Sequence, residues 1–197
     1  MDDATLGAYD RDAKAFADAW DTQPPSSDLQ AVVRQFFIPG PTADVGCGSG
    51  RDAAWLTACG YPTKGFDASK GLLAEARRRH PQIQFSTAIL PDLDGIAESS
   101  FANVLCETVI MHLDPKAIAP AVERLLAILV PDGILHLSWR VIEGADRRDQ
   151  HGRFYAAFDP ERVLCALTTT QVLLDQQVGS VRPIRRIVAR KALSGAS

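Results

Sequence analysis

Tyr9, Ala13, Phe16 and Trp20 recur at steps of four, three and four residues, which lays them on one stripe of an N-terminal helix. Gln23-Pro24-Pro25-Ser26-Ser27 ends that helix. A second is predicted over about residues 28–37, capped by Ser27 or Asp28 and broken by Ile38-Pro39-Gly40-Pro41. Short apolar runs then alternate with helical stretches: strand 42–46, helix 51–59, strand 62–66, a helix to 79, strands 83–88 and 101–106. Asp114-Pro115 opens the next helical segment, lined inside by Ile118, Val122, Leu125, Leu126 and Leu129, and Pro120 predicts that its regular part starts late. A turn at Val130-Pro131-Asp132-Gly133 leads to strand 134–138, a helix is predicted over 159–167, and strands 172–178 and 184–189 close the pattern.

Such alternation predicts a doubly wound α/β fold, a mostly parallel sheet covered on both faces. Ligands of such sheets bind at the carboxyl ends of the strands, where strand order reverses, and Gly46 to Gly50 stands there after the first strand. The division expected is two capping helices in 1–40, one core domain in 41–192 and a frayed tail in 193–197.

Composition narrows the class. With 46% hydrophobic and 23% charged residues in 197, the chain has the balance of a globular domain with a sizeable core. No apolar run approaches the ~20 residues that cross a bilayer, which predicts a cytoplasmic protein. The four cysteines (Cys47, Cys59, Cys106, Cys165) never form a C-x-x-C pair, so buried free thiols are expected rather than a disulfide framework or zinc knuckle. Charge is uneven: residues 1–145 carry 12 basic and 19 acidic side chains, residues 146–197 carry 9 and 5. The acidic body argues against nucleic acid, while the basic end could meet a small anion. No carboxylate pattern suggests a catalytic metal.

The chemistry centres on "ADVGCGSGRD", residues 43–52. Gly46, Gly48 and Gly50 spell G-x-G-x-G, and Arg51 stands in place of the last glycine of the dinucleotide fingerprint, so G-x-G-x-x-G is not met. Asp44 and Asp52 would oppose a pyrophosphate at the helix N-terminus but favour a cationic ligand. Asp67, 23 residues after Asp44, ends the second strand, where an acid can hydrogen-bond both ribose hydroxyls. The bland alternative is a tight strand-to-helix turn with no ligand.

"ADVGCGSGRDAAWLTACGYPTKGFDAS", "VLCETVIMHL" and "LLAILVPDGILHLSWR" together resemble the class I S-adenosylmethionine-dependent methyltransferases, over about residues 9–191. The resemblance implies a seven-stranded sheet whose last strand is antiparallel. It also implies S-adenosylmethionine as cofactor, S-adenosylhomocysteine as product and a small-molecule acceptor. Asp44, Gly46, Cys47 and Gly48 would contact the methionine end with Arg51 and Asp52 beside them, Asp67 the ribose, and Ala68 and Ser69 the adenosine. Ala88-Ile89-Leu90 stand where the family often has an acid, so Ile89 and Leu90 would line the adenosine and the adenine amino group would turn to backbone or Asp92. Cys106, Glu107 and Thr108 would floor the methyl group, and Tyr9 would lie over the cofactor while Phe16 and Trp20 pack in the core.

Glu107 and His112 are the candidate catalytic groups, either able to take a proton from a hydroxyl acceptor. Residues 140–158 form a candidate substrate loop in which Arg140, Arg153 and Tyr155 would clamp an anionic acceptor; Arg182, Arg185 and Arg186 are expected to face solvent. Two other functions fit the pattern less fully: a non-catalytic nucleoside-binding regulator and a nicotinamide oxidoreductase. The pattern leaves monomer and homodimer open.

Overall fold

The structure, a computed structural model, describes residues 1–193. The expected frayed tail therefore falls outside the described residues, apart from Leu193. A seven-stranded sheet organises the chain. Its order is β3 (Gln84–Thr87), β2 (Thr63–Asp67), β1 (Thr42–Val45), β4 (Phe101–Cys106), β5 (Leu129–Arg140), β9 (Ile184–Lys191) and β8 (Thr170–Val178). The first five strands are parallel, and β9 runs antiparallel to both β5 and β8. The doubly wound architecture is thus as the pattern predicts, and the antiparallel last strand is as the resemblance implies. β1 and β4 are neighbours, although the chain leaves β1 toward β2 and β3, so a crevice opens above the ends of β1 and β4.

Alternation along each strand decides what covers each face. Leu105, Ile134 and Val188 face α3 (Ser27–Phe36) and α4 (Arg51–Ala58), meeting Leu29, Val33 and Leu56. Val104, Leu135, Leu137 and Ile187 face α6 (Ile118–Ala127) and α7 (Glu161–Leu164), with Val122, Leu125 and Val163. All six residues of β4 are buried, as a strand covered on both faces must be. α5 (Lys70–Arg79) completes the first face through Leu73 and Ala76. No helix among the described residues is long and apolar enough to cross a membrane.

The N-terminal stripe is carried by two helices, not one. α1 (Asp3–Arg11) and α2 (Ala13–Asp21) meet at Asp12, whose backbone leaves the helical region at φ −106°, ψ 18°. The stripe survives the break, with ring centroids 5.4 Å apart for Tyr9 and Phe16 and 5.6 Å for Phe16 and Trp20. Ser26, one residue before the expected caps, caps α3 by accepting from the Leu29 N–H at 3.2 Å. α3 belongs to the body of the fold, so only α1 and α2 remain as the cap. The predicted turn at 130–133 lies inside β5. Leu129 pairs with Phe101 and Ile134 with Asn103, so the residues between bulge out around Asp132 at φ +65°. The helix expected at 159–167 is shorter, with Cys165–Leu167 continuing as a 3-10 turn. Two strands too short to predict, β6 (Arg147–Arg148) and β7 (Phe154–Tyr155), pair as a ribbon beyond β5. Of the cysteines, Cys47 and Cys106 are buried but Cys59 and Cys165 are exposed, so the expected burial holds for half.

Candidate active site

The glycine turn rises from β1 and is held by main-chain hydrogen bonds: the Gly46 and Cys47 N–H groups both donate to the Phe66 carbonyl, at 2.7 and 3.0 Å. Gly46 has φ +79°, and a Cβ there would come within 2.2 Å of Val109 Cγ2. Gly48, at φ +53°, lies under the Trp20 ring, 2.9 Å from a Cβ position to Cζ3. Both positions therefore need glycine for conformation and for closeness.

Asp67 is ordered by the same main chain. Its Oδ2 accepts from the Gly48 N–H and its Oδ1 from the Ser69 N–H, each at 2.8 Å. Burial raises its pKa, and the backbone donors only partly offset that. Asp44 points back beneath the turn toward α4; it is 2% exposed and its Oδ2 has no hydrogen-bond partner among the described residues. Burial first, then the charges of Asp52 and Asp67, push its carboxyl well above the ordinary range. The carboxyls of Asp52 and Asp67 at this main-chain bend would oppose a polyphosphate and gain from a positive group.

These elements wall a cavity of about 370 Å³, within the usual span for small-molecule sites. Gly46, Cys47, Gly48, Arg51 and Asp52 line one side, and Arg51 is held by Asp52 at 2.9 Å. Asp67, Ala68, Ile89 and Leu90 line another, while Glu107 and Thr108 follow the end of β4 and His112 comes from the 3-10 turn Ile110–His112. Tyr9, Arg140, Arg153 and Tyr155 close the far end. Asp44, Ser69 and Cys106 are not among the lining residues. The Ser69 Oγ instead caps α5, accepting from the Leu72 N–H and donating to Asp10, and Cys106 is fully buried in β4. Phe16 and Trp20, expected in the core, line the cavity. Arg182 is exposed, as expected, and also lines the cavity rim, whereas Arg185 is half-buried and paired with Asp175 and Arg186 is 2% exposed. A cationic side chain in a strand hairpin carries no sequence signal of which way it faces. Among the described residues no cluster of His, Cys, Asp or Glu could hold a metal ion.

Two polar networks meet at the cavity. On the floor, Glu107 Oε2 accepts from His136 Nε2 at 2.8 Å and from Ser138 Oγ at 2.7 Å. These donors outweigh burial and hold the Glu107 carboxyl below its ordinary pKa. At the far end, His112 Nδ1 lies 2.6 Å from the Phe154 carbonyl, which can only accept, so that nitrogen carries the proton and Nε2 accepts from the Tyr9 hydroxyl at 3.0 Å. Burial pushes the His112 pKa down to about 4. Both ring nitrogens are committed, which counts against the expected general base.

Arg153 is committed as well. Its Nε and Nη2 lie 2.7 and 2.6 Å from Asp149 Oδ2, and its guanidinium sits 4.9 Å from the Phe16 ring centroid and 5.3 Å from that of Tyr9. The ribbon holding Arg153 is tied to α1 by the Phe154 N–H to Thr5 Oγ1 bond at 2.8 Å and by the Arg148–Asp2 pair at 3.1 Å. Asp10 ties α1 in turn to α5, accepting from the Ser69 hydroxyl and the Gly71 N–H at 2.6 and 2.9 Å. Arg140 at the end of β5 and Arg182 just before β9 flank the Val141 N–H to Pro183 carbonyl bond at 2.9 Å, and neither has an ion-pair partner among the described residues.

Residues 43–133 match the family described as a methyltransferase domain. Trans-aconitate 2-methyltransferase of Methylobacterium nodulans is 33% identical over 128 residues, covering 60% of this chain and 48% of that protein. The enzyme of the same name from Sinorhizobium medicae is 33% identical over 115 residues, covering 56% and 42%. The chain thus spans about half the length of the curated relatives it matches. In fold it resembles the Burkholderia thailandensis 1,6-didemethyltoxoflavin-N1-methyltransferase, solved with 1,6-didemethyltoxoflavin and S-adenosylhomocysteine bound. That likeness has a TM-score of 0.75 at 22% identity, over 96% of this chain and 88% of the other.

Proposed function

We propose that this chain is a class I S-adenosylmethionine-dependent methyltransferase that methylates a carboxylate of a small polyanionic acid. The observation that carries this reading is the polarity of the cavity: carboxyls at the glycine turn, and at the opposite end two arginines, Arg140 and Arg182, with no protein partner among the described residues. The names of the two relatives support a carboxylic acid acceptor.

The residues at the acidic end fit the donor. Asp67 keeps lone pairs free for ribose hydroxyls while its backbone bonds fix its orientation, and the bare turn at Gly46 to Gly48 admits the amino-acid end. When bound, S-adenosylmethionine supplies an electrophilic methyl group on a positively charged sulfur, and transfer leaves a neutral thioether. Arg140 and Arg182 would orient the acceptor through charge-assisted bonds to its carboxylates. A carboxylate is already ionised, so no base is required, in keeping with a His112 whose nitrogens are both occupied. Tyr9, Phe16 and Trp20 exclude water from above, and alignment in such a closed site is worth ~7–11 kcal/mol in favourable cases.

The test is incubation of the chain with methyl-labelled S-adenosylmethionine and trans-aconitate, citrate or tricarballylate, with methyl ester formation read by mass spectrometry. We expect an ester from at least one acid. Replacing both Arg140 and Arg182 by Gln should raise its KM tenfold or more with kcat nearly unchanged, and Arg153→Ala, already engaged by Asp149, should raise KM less. Transfer to an amine or phenol but to no carboxylate would reject the acceptor class. Absence of any S-adenosylmethionine binding at millimolar concentration would reject the function.

A further inference from the structure

The buried stretch of β5 from Ile134 to Trp139 is apolar except at two places. Ile134, Leu135, Leu137 and Trp139 are at most 1% exposed, and between them His136 and Ser138 are equally buried at 0%. Burying a histidine and a serine in the middle of a sheet costs free energy unless each finds a partner. Both find the same one, Glu107 Oε2. Among the described residues His136 Nδ1 has no partner, so the one hydrogen bond found for that ring goes to Glu107. Ser138 also accepts the Thr108 N–H at 3.0 Å, fixing the turn that carries Glu107, where Thr108 itself takes φ +56°. The same turn presses Val109 onto Gly46.

Glu107 is thus locked at one place on the cavity wall, and sheet order says which. β4 lies between β1, which carries the glycine turn, and β5, which ends in Arg140. Glu107, at the end of β4, therefore stands midway between the proposed donor end and the proposed acceptor end, where the transferred methyl group has to lie. The positive group of the donor at that midpoint is the sulfonium, while its ammonium belongs with the glycine turn. The geometry points to Glu107, oriented by His136 and Ser138, as the residue that reads the sulfonium charge and so distinguishes the methyl donor from its uncharged product. This inference rests on the methyltransferase reading. Its consequence is that product loses a favourable interaction at the moment it forms.

Titration calorimetry with S-adenosylmethionine and with S-adenosylhomocysteine tests it without turnover, because the two share every group except the charged methylsulfonium. In Glu107→Gln the dissociation constant for S-adenosylmethionine should rise at least tenfold and that for S-adenosylhomocysteine less than threefold. Glu107→Asp, which keeps the charge, should restore part of the preference. Ser138→Ala, outside the cavity lining, should lower the preference in the same direction by a smaller factor, and it supplies the answer if Glu107→Gln does not fold. Equal weakening of both ligands would place Glu107 on the ammonium and overturn the inference, as would unchanged affinity for both. A wild-type chain that binds neither ligand would instead sink the methyltransferase reading itself.

Discussion

The two ends of the cavity are built in different ways. The end assigned to the donor is made of main chain and short-range contacts: Gly48 reaches Asp67 across 19 residues, and strand pairing fixes the rest. The end assigned to the acceptor is made of side chains from distant parts of the sequence. Tyr9 meets His112 across 103 residues, Arg153 meets Tyr9 across 144, and Thr5 meets Phe154 across 149. The first end inherits its geometry from the sheet. Apart from Arg140, at the end of β5, and Arg182, just before β9, the second is completed only when α1, α2 and the β6–β7 ribbon dock together, so most of its wall can change without disturbing the sheet, which suits one scaffold to many acceptors.

The sharpest way to break this comparison uses two glycines with the same backbone angle. Gly46 and Gly144 both have φ +79°, but a Cβ at Gly46 meets Val109 at 2.2 Å whereas one at Gly144 meets nothing within 4 Å. Gly46→Ala should therefore lose about 3 kcal/mol, combining left-handed strain with overpacking, and lower Tm by about 6–12 °C. Gly144→Ala should lose only about 1 kcal/mol. Thermal unfolding followed by circular dichroism reads both, and equal losses would mean that the glycine turn is no more constrained than the loop. Next in size is Asp67→Ala. It should weaken S-adenosylhomocysteine binding by about 1.5–3 kcal/mol per charge-assisted bond lost, measured by calorimetry, while leaving the KM of the acceptor nearly untouched. A matching change in acceptor KM would show that the two ends are not independent.

The same contrast explains what could be read from the sequence. Gly46, Gly48 and Asp67 were legible because a glycine-rich bend after a strand and an acid ending the next one are local features whose spacing follows from a parallel sheet. Strand positions were legible for the same reason, since β4 is a short apolar run interrupted only by Asn103. Asp44 was legible as an acid but not as a buried one, because its alternation with Ala43 and Val45, which turns it toward α4, matters only once the register is known. His136 and Ser138 sit in an apolar strand with nothing local to link them to Glu107, 29 and 31 residues earlier. Arg182 and Trp20 went unrecognised at the cavity because facing it depends on the docking of the strand hairpin and the cap. The break at Asp12 was hidden by a stripe that continues across it.

Proton linkage also separates the two ends, and with opposite sign. Burial raises the pKa of Asp67, so protonation is easier in the folded chain and its contribution to stability is lost as pH rises through the folded value. Burial lowers the pKa of His112 from 6.5 to about 4, so over that window the unfolded chain holds the extra proton. Its contribution is fully present above pH 6.5 and is lost as pH falls toward 4. Between pH 7.5 and pH 5.5 this amounts to about 1.4 kcal/mol, since one pKa unit is worth about 1.4 kcal/mol. His80, whose pKa is also lowered by burial, adds in the same direction but cancels when wild type is compared with His112→Gln. Urea unfolding of the two proteins at both pH values should thus show the stability advantage of the wild type shrinking by about 1.4 kcal/mol on acidification. The loss should fall on the network that joins His112 to Tyr9 and Phe154, loosening the cap while the glycine turn keeps its shape. An advantage that stays constant with pH would mean that His112 titrates freely in the fold, and the tight far end inferred from its two hydrogen bonds would have to be given up.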